Sequence, residues 1–349
     1  MRAVETLHWD DEEVALTLID QTRLPGHFRI VRCRTVDRLI TAIRRLEIRG
    51  APALGVAGAY GVVLASRKIR EREHFRFMEM LKAEAARITD ARPTAVNLSL
   101  GVEIVMRVVE SAHSVTEARE KALRAAREFT AADSRACHEL GDYGAALIGK
   151  RCTVLTHCNA GALACSEWGT ALGVVRSAVE AGSDVEVIAC ETRPLLQGAR
   201  LTAWELQRDG IPVTVIPDSS AAFLMKLGEI DAVILGADRI TPDGVFNKIG
   251  TYMHAVCASH HGVPFYVAAP LSTFDPHRIA REVTIEQRDR NEVAFCGSTV
   301  TVPDGVGVKN YAFDLTPHQL VTAFITDIGV ISPPVDWNEI EAARKDRGL

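Results

Sequence analysis

Along the first third of the chain the apolar residues change period once, and that change divides the elements. From Ala3 to Leu18 apolar and polar positions alternate around Asp10-Asp11-Glu12, which predicts a β-hairpin with an acidic turn. From Thr35 to about Arg127 the period becomes helical. Val36, Leu39, Ile40, Ile43 and Leu46 form one stripe, and Phe75–Ile88, Ala95–Val109 and Thr116–Phe129 form three more. Ala51–Ala65 is almost wholly apolar but contains three glycines and is shorter than the roughly 20 residues a bilayer span needs, so it reads as a buried helix. Beyond Gly149 short β-branched runs alternate with helical stretches. They fall at Cys152–Thr156, Val185–Cys190, Val213–Ile216, Ala232–Leu235 and Pro264–Ala268. This order predicts right-handed crossovers and a parallel sheet. The fold class is therefore α/β: a mostly α-helical N-terminal domain with a small β-hairpin, residues 1–125, then a Rossmann-like parallel-sheet domain, residues 126–349. The tail after Ser332, with Pro333-Pro334 and then charged residues, reads as a loosely packed end.

Composition narrows the class of function. The 349 residues carry 40 Lys+Arg against 45 Asp+Glu, a net charge of −5, and no long basic run that would track a nucleic-acid backbone. The start, MRAVETLHWDDEEV, lacks the apolar segment of a signal peptide, and a cytoplasmic protein without nucleic-acid or membrane partners is expected. Eight cysteines show neither C-x-x-C nor zinc spacing, so neither a structural metal nor a disulfide framework is expected. Cys33, Cys137, Cys152, Cys165, Cys190, Cys257 and Cys296 sit in apolar or helical settings and read as structural.

Candidate chemistry gathers where the proposed strands end. In an open parallel sheet ligands bind beyond the carboxyl ends of the strands, where helix N-termini point outward. The strands run into Thr156-His157-Cys158-Asn159, Cys190-Glu191-Thr192-Arg193, Pro217-Asp218-Ser219-Ser220 and Gly236-Ala237-Asp238-Arg239. Two readings stand for each reactive group. Cys158 is either a small buried hydrophobe or a catalyst, and Asp238 is either a cap or a carboxyl whose burial raises its pKa and suits it to proton donation. No G-x-G-x-x-G follows a strand, and Gly55, Gly58 and Gly61 read as close helix packing, so no dinucleotide cofactor is expected. Arg49 and Gly50, before a helix opened by Ala51-Pro52, form either a phosphate site at a positive helix end or an ordinary cap. Lys248, in Asn247-Lys248-Ile249-Gly250 before the helix Thr251–Ser259, is either a phosphate ligand or a solvated surface lysine. Arg92, on a loop between two helices, carries the same ambiguity.

Five blocks in their order and spacing add a further indication: IRGAPALGVAG at 48–58, RPTAVNL at 92–98, THCNAGALA at 156–164, ETRPLLQGARLTAW at 191–204 and GADRITPDGVFNKIGTY at 236–252. Together they resemble the methylthioribose-1-phosphate isomerases. The likeness runs from about Trp9 to Ile331, within a wider family that also holds ribose-1,5-bisphosphate isomerases and the regulatory subunits of translation initiation factor 2B. The resemblance implies an aldose–ketose isomerase of methionine salvage, a homodimer, and an active site between the domains with neither cofactor nor metal. It implies Cys158 and Asp238 as the catalytic pair. Arg49, Gly50, Ala51, Arg92, Gln197, Asn247 and Lys248 would hold a sugar-phosphate substrate, chiefly its phosphate. The regulatory subunits typically lack the Cys/Asp pair. Ala160 stands where Thr is usual and Ser99-Leu100-Gly101 where aromatics are common, changes that bear on substrate fit, and Gln287 stands where a second Glu is usual, with the fold expected to be unaffected. Sequence does not place the wall around substrate C5, so the group there stays open between methylthio, methyl and phosphate.

Overall fold

The computed structural model describes residues 3–93 and 95–349. The N-terminal hairpin forms as β1 (Leu7–Asp10) and β2 (Ala15–Ile19), and a third strand, β3 (Ile30–Cys33), completes an antiparallel sheet that the sequence pattern did not announce. Five helices follow: α1 (Val36–Arg44), α2 (Ala51–Lys68), α3 (His74–Thr89), α4 (Val96–Val109) and α5 (Val115–Ala145). Helix α1 starts on a Thr35 side chain that accepts the Arg38 N–H, and α5 on Ser114, which accepts from Glu117. Helix α2 is buried along nearly its whole length, as its apolar composition requires. No helix among the described residues is long and apolar enough to cross a membrane.

Close packing of α2 on α4 explains the glycine series. A Cβ on Gly58 would come within 2.5 Å of the Leu98 carbonyl oxygen, and one on Gly101 within 1.9 Å of the Gly55 carbonyl oxygen. Neither backbone can yield without moving the helix. Gly101→Ala is therefore expected to cost at least about 2 kcal/mol by overpacking. It would be read as a lower urea midpoint at an unchanged slope.

Helix α5 is much longer than the Thr116–Phe129 stripe that announced it. Its first half buries Ala118, Ala122, Ala125 and Ala126 in the N-terminal core, while Leu140 lies in the core of the second half of the chain. The boundary expected at residue 125 thus falls inside one continuous helix. Past Phe129 the buried side of α5 is mostly Ala, Cys and Gly, which gives little hydrophobic contrast.

The second half is built on a seven-stranded sheet. Its members are β4 (Arg151–Thr156), β5 (Asp184–Cys190), β6 (Val213–Ile216), β7 (Ala232–Leu235), β10 (Phe265–Ala268), β14 (Ala323–Thr326) and β15 (Gly329–Ile331). They lie in the order β15-β14-β10-β7-β4-β5-β6, and all pair in parallel except β14 with β15. The strand residues divide between two cores. Leu155, Val233, Leu235 and Val267 face one, Val154, Val187, Ile234 and Ile325 the other. Helices α6 (Ala171–Glu180), α7 (Ala203–Asp209), α8 (Ala221–Leu227) and α9 (Thr251–His261) belong to the connections, and a π-helical turn, Gly198–Thr202, leads into α7. A small antiparallel sheet of β8 (Arg239–Thr241), β9 (Gly244–Lys248) and β13 (Phe313–Thr316) stands beside the main one. A short α10 (Asn291–Ala294) and the ribbon β11 (Phe295–Cys296) with β12 (Thr299–Val300) complete this region.

The tail is not loose. Helix α11 (Trp337–Asp346) starts on the Asp336 side chain, which accepts the N–H groups of Asn338 and Glu339. It buries Ile340 in the sheet core and is followed by Arg347, which donates to Asp327 at 2.7 Å. Most of its other positions are charged, so the sequence suggested a solvated end, and Ile340 alone was too weak an apolar signal.

Candidate active site

Topology brings the site together. The chain runs β4 to β5 to β6 in one direction and then returns to place β7 on the other side of β4, so the β4/β7 boundary is the switch point of the sheet. Leu155 and Val233 are paired across it, and Cys158 and Asp238 follow them by three and five residues. Two groups 80 positions apart thus leave neighbouring strands at the same edge.

Both line one cavity of about 770 Å³, the open solvent at its mouth included, together with Arg49, Gly50, Ala51, Arg92, Gln197, Asn247 and Lys248. All nine residues singled out from the sequence reach this cavity. Arg49, Gly50 and Ala51 come from the entry to α2 and Arg92 from the α3–α4 loop, so the helical half supplies one wall. Gly50 sits at φ +96°, and a Cβ there would lie 2.4 Å from the Ala164 Cα, so backbone and the free N–H groups of the α2 start can approach the cavity only without a side chain. Thr94, in the same sequence block as Arg92, lies outside the described residues.

Cys158 adopts φ +64°, a left-handed conformation that a β-carbon disfavours. Its backbone is held on both sides: its N–H donates to Thr192 Oγ1 at 2.8 Å, and its carbonyl accepts from Thr202 Oγ1 at 2.7 Å. Thr192 is fixed in turn, because the Asp218 carboxylate accepts the N–H groups of Thr192 and Arg193, each at 2.7 Å. The thiol is therefore presented by a strained loop that the next two strand ends clamp.

Asp238 sits in a buried position lined by cations. Loss of water around its carboxyl raises its pKa, while the cations Lys248, Arg92 and Arg49 oppose the rise. Lys248 is nearly buried, which overturns its reading as a solvated surface lysine. It closes strand β9, three residues before α9 begins at Thr251 as expected, donates to the Ala312 carbonyl at 3.0 Å and lies 4.8 Å from the Phe313 ring centre. Burial lowers its pKa, and the acids Cys158 and Asp238 pull it back up. One ammonium thus senses both members of the pair. Asn247 donates to Thr251 at 3.0 Å, and Gln197 keeps a buried side-chain oxygen with no protein partner.

Several lining residues were not singled out from sequence. Arg288 joins the wall and is paired with Glu286 and Glu292, while Glu286 also meets Arg92 at 3.3 Å. His157 also lines the cavity and forms a buried group with Cys190 and His254 behind it. His157 Nε2 meets the Ile249 carbonyl at 2.8 Å and its Nδ1 meets His254 Nε2 at 3.2 Å, so donation from His254 to His157 and from His157 to Ile249 accounts for three of the four ring nitrogens. Burial pulls His157 down to about 4 and His254 to about 3. Both are neutral in the fold and must gain protons on unfolding below their ordinary value near 6.5. Stability is accordingly expected to be intact above about pH 6.5 and to fall as pH drops from there toward about 4. Urea unfolding from about pH 4 to 8 would read this, with His254→Leu flattening part of the acid slope.

The model of the initiation factor 2 subunit family matches residues 47–333. The chain belongs to that family. It is 51% identical over 335 residues to a putative methylthioribose-1-phosphate isomerase of Archaeoglobus fulgidus, covering 96% of this chain and 98% of that one. Among solved structures it resembles 5-methylthioribose 1-phosphate isomerase from Pyrococcus horikoshii, with a TM-score of 0.88, 36% identity and coverage of 98% and 96%. It also resembles a structure from A. fulgidus described as translation initiation factor eIF-2B, subunit delta, with a TM-score of 0.86, 51% identity and coverage of 97% and 99%. Family members thus carry both enzyme and translation-factor names, and the site's chemistry has to separate them.

Proposed function

We propose that this chain is an isomerase converting 5-methylthioribose 1-phosphate to 5-methylthioribulose 1-phosphate, a step of methionine salvage. The observation that carries this reading is the convergence of Cys158 and Asp238, from neighbouring strand ends, on one cavity lined by four cations, Arg49, Arg92, Lys248 and Arg288. Nearly full-length relatives bearing the isomerase name support it. A translation-factor subunit has no use for a thiol on a strained loop that shares a cavity with a carboxyl whose pKa burial raises.

In the proposed reaction the phosphate on the anomeric oxygen prevents simple opening to an aldehyde. Asp238 donates its proton to the ring oxygen as the C1–O bond breaks, a general-acid role that its raised pKa suits. Hydrogen then moves from C2 to C1. Cys158 either takes the C2 proton as thiolate and the enol phosphate is reprotonated at C1, or hydride passes from C2 to C1 while the pair handles only hydroxyl protons. Arg49, Arg92 and Lys248 hold the phosphate and fix C1 against the pair, with Gly50, Ala51, Gln197 and Asn247 completing the binding surface.

The recess beside Asp238 bears on the group at C5. It shares Gly50, Ala51, Arg92, Asp238 and Phe313 with the main cavity and is otherwise walled by Leu54, Ala95, Val96, Phe246, Val283 and Ile285, with Arg239 and Thr284 as its further polar members. We assign it to the C5 substituent, which favours methylthio or methyl over a second phosphate, since its two arginines are already paired, Arg92 with Glu286 and Arg239 with Asp275, and most of the remaining wall is apolar. Turnover of the methylthio, 5-deoxy and 5-phospho sugars separates these. Values of kcat/KM for the first two should exceed that for the bisphosphate by about 100-fold or more, and the reverse order would overturn the assignment.

We further propose a cytoplasmic homodimer. Helices α8 and α9 leave Phe223, Leu227, Tyr252, Met253 and Val256 exposed, and apolar side chains gathered on a surface mark an interaction site. Light scattering should give twice the chain mass, and Phe223→Glu with Val256→Glu should shift it toward one.

A further inference from the structure

Arg49 does not reach the cavity unaided. Its two terminal nitrogens donate to the Asn159 side-chain oxygen, both at 2.9 Å, and to the Asn159 carbonyl at 3.1 and 2.5 Å. That geometry requires the amide oxygen of Asn159, not its nitrogen, to face Arg49. An Asn side chain by itself has no preference between the two orientations. The selection comes from the other side: Asn159 Nδ2 donates to Glu205 Oε1 at 2.9 Å, with Thr202 Oγ1 as a longer partner at 3.3 Å.

Glu205, on α7, is 1% exposed and does not itself line the cavity. Its carboxylate accepts from four donors: Asn159 Nδ2, the Leu163 N–H at 3.1 Å, the Ala162 N–H at 2.7 Å and Arg176 at 2.8 Å. Every partner is a donor, so the amide nitrogen is the only end of Asn159 this group can receive. Gly161 makes room for it, since a Cβ there would stand 2.3 Å from Glu205 Oε2. Arg176, wholly buried, supplies the counter-charge and is itself shared with Asp209 at 2.6 Å and with the Trp168 carbonyl.

We infer that Glu205 is a positioning residue for substrate phosphate: it sets the orientation of the Asn159 amide, which in turn aims the Arg49 guanidinium across the junction between the helical half and the sheet. This rests on the reading of Arg49 as a phosphate ligand. A buried acid two contacts from the ligand thereby determines how a cation meets it, and charge-assisted pairs of this kind depend strongly on geometry. Glu205→Gln places an NH₂ among donors, so either Asn159 turns its nitrogen toward Arg49 or the Gln nitrogen opposes Arg176 and the Ala162 N–H.

The test uses the full chain and inorganic phosphate as a competitive inhibitor of the sugar-phosphate reaction. Glu205→Gln should raise the phosphate inhibition constant and the substrate KM by about tenfold while kcat stays within about threefold. Asp209→Asn removes the other acid from Arg176 without touching Asn159, and should lower thermal stability with phosphate affinity unchanged. Arg49→Met should weaken phosphate at least as much as Glu205→Gln, and the double variant should lose no more than Arg49→Met alone. Should Glu205→Gln fail to fold, Asn159→Ser interrupts the same chain at its middle and should give the same loss. Equal affinity losses in Glu205→Gln and Asp209→Asn would reduce Glu205 to a structural role. Unchanged affinity in Glu205→Gln, or in Asn159→Ser, beside a weakened Arg49→Met would overturn the inference alone, whereas unchanged affinity in Arg49→Met would overturn the phosphate reading beneath it.

Discussion

Cys158→Ala is expected to lower turnover by at least about 10²–10⁴-fold, the range that a positioned acid or base contributes, with substrate affinity nearly kept. The Cys158 backbone is held by Thr192 and Thr202 through its N–H and carbonyl, neither of which the substitution removes. Alanine has the same β-carbon and so the same left-handed strain, and only the sulfur is lost. The loop should therefore keep its shape, and circular dichroism and the unfolding midpoint should match the parent. A turnover within about tenfold of the parent would remove the thiol from the mechanism.

Asp238→Asn is expected to lower turnover over the same range but to leave stability unchanged or raised. The carboxyl is held above its ordinary pKa chiefly by burial. For a carboxyl so shifted, the folded state binds a proton more readily than the unfolded one, so its contribution to stability diminishes as pH rises through the unfolded value near 3.8 toward the folded one. A neutral amide removes that penalty, along with the attraction to Lys248, Arg92 and Arg49 that partly offset it. A residue whose loss harms activity without harming stability is what a strained functional group should look like. The alkaline limb of the parent's pH–rate profile should also move or vanish in this variant, because the proton donor is then no longer the group that titrates. Lost turnover with an unchanged alkaline limb would assign that limb to another group.

Much of this architecture was legible because its strands are short β-branched runs, whether buried as in β7 or half-exposed at the sheet edge as in β6. The runs at Val213–Ile216 and Ala232–Leu235 coincide with β6 and β7, and the other three expected strands differ by a residue at one end. Elements with mixed environments were not legible. Strand β9 carries Asn247 and Lys248 inward because a cavity, not a core, lies there, and polar residues facing inward look like a loop in sequence. The second half of α5 hides because Ala136, Cys137 and Gly141 pack closely without large side chains. Within the site, Cys158 and Asp238 stood out as reactive groups at strand ends, but their adjacency depends on β7 crossing back beside β4, which no local pattern encodes. Asn159 and Glu205 were harder still. Each is a single polar residue whose meaning comes only from the donors the fold brings to it.

The most direct test of the central claim is to incubate the purified chain with 5-methylthioribose 1-phosphate and follow C1 and C2 by NMR. The account predicts loss of the anomeric C1 resonance with matching growth of a C2 ketone and a C1 methylene bearing the phosphate, at a rate proportional to enzyme and at least about 10²-fold slower with Cys158→Ala. In D₂O, deuterium at C1 would mark the proton-transfer route. A sugar phosphate that remains unchanged in the presence of folded protein would contradict the account.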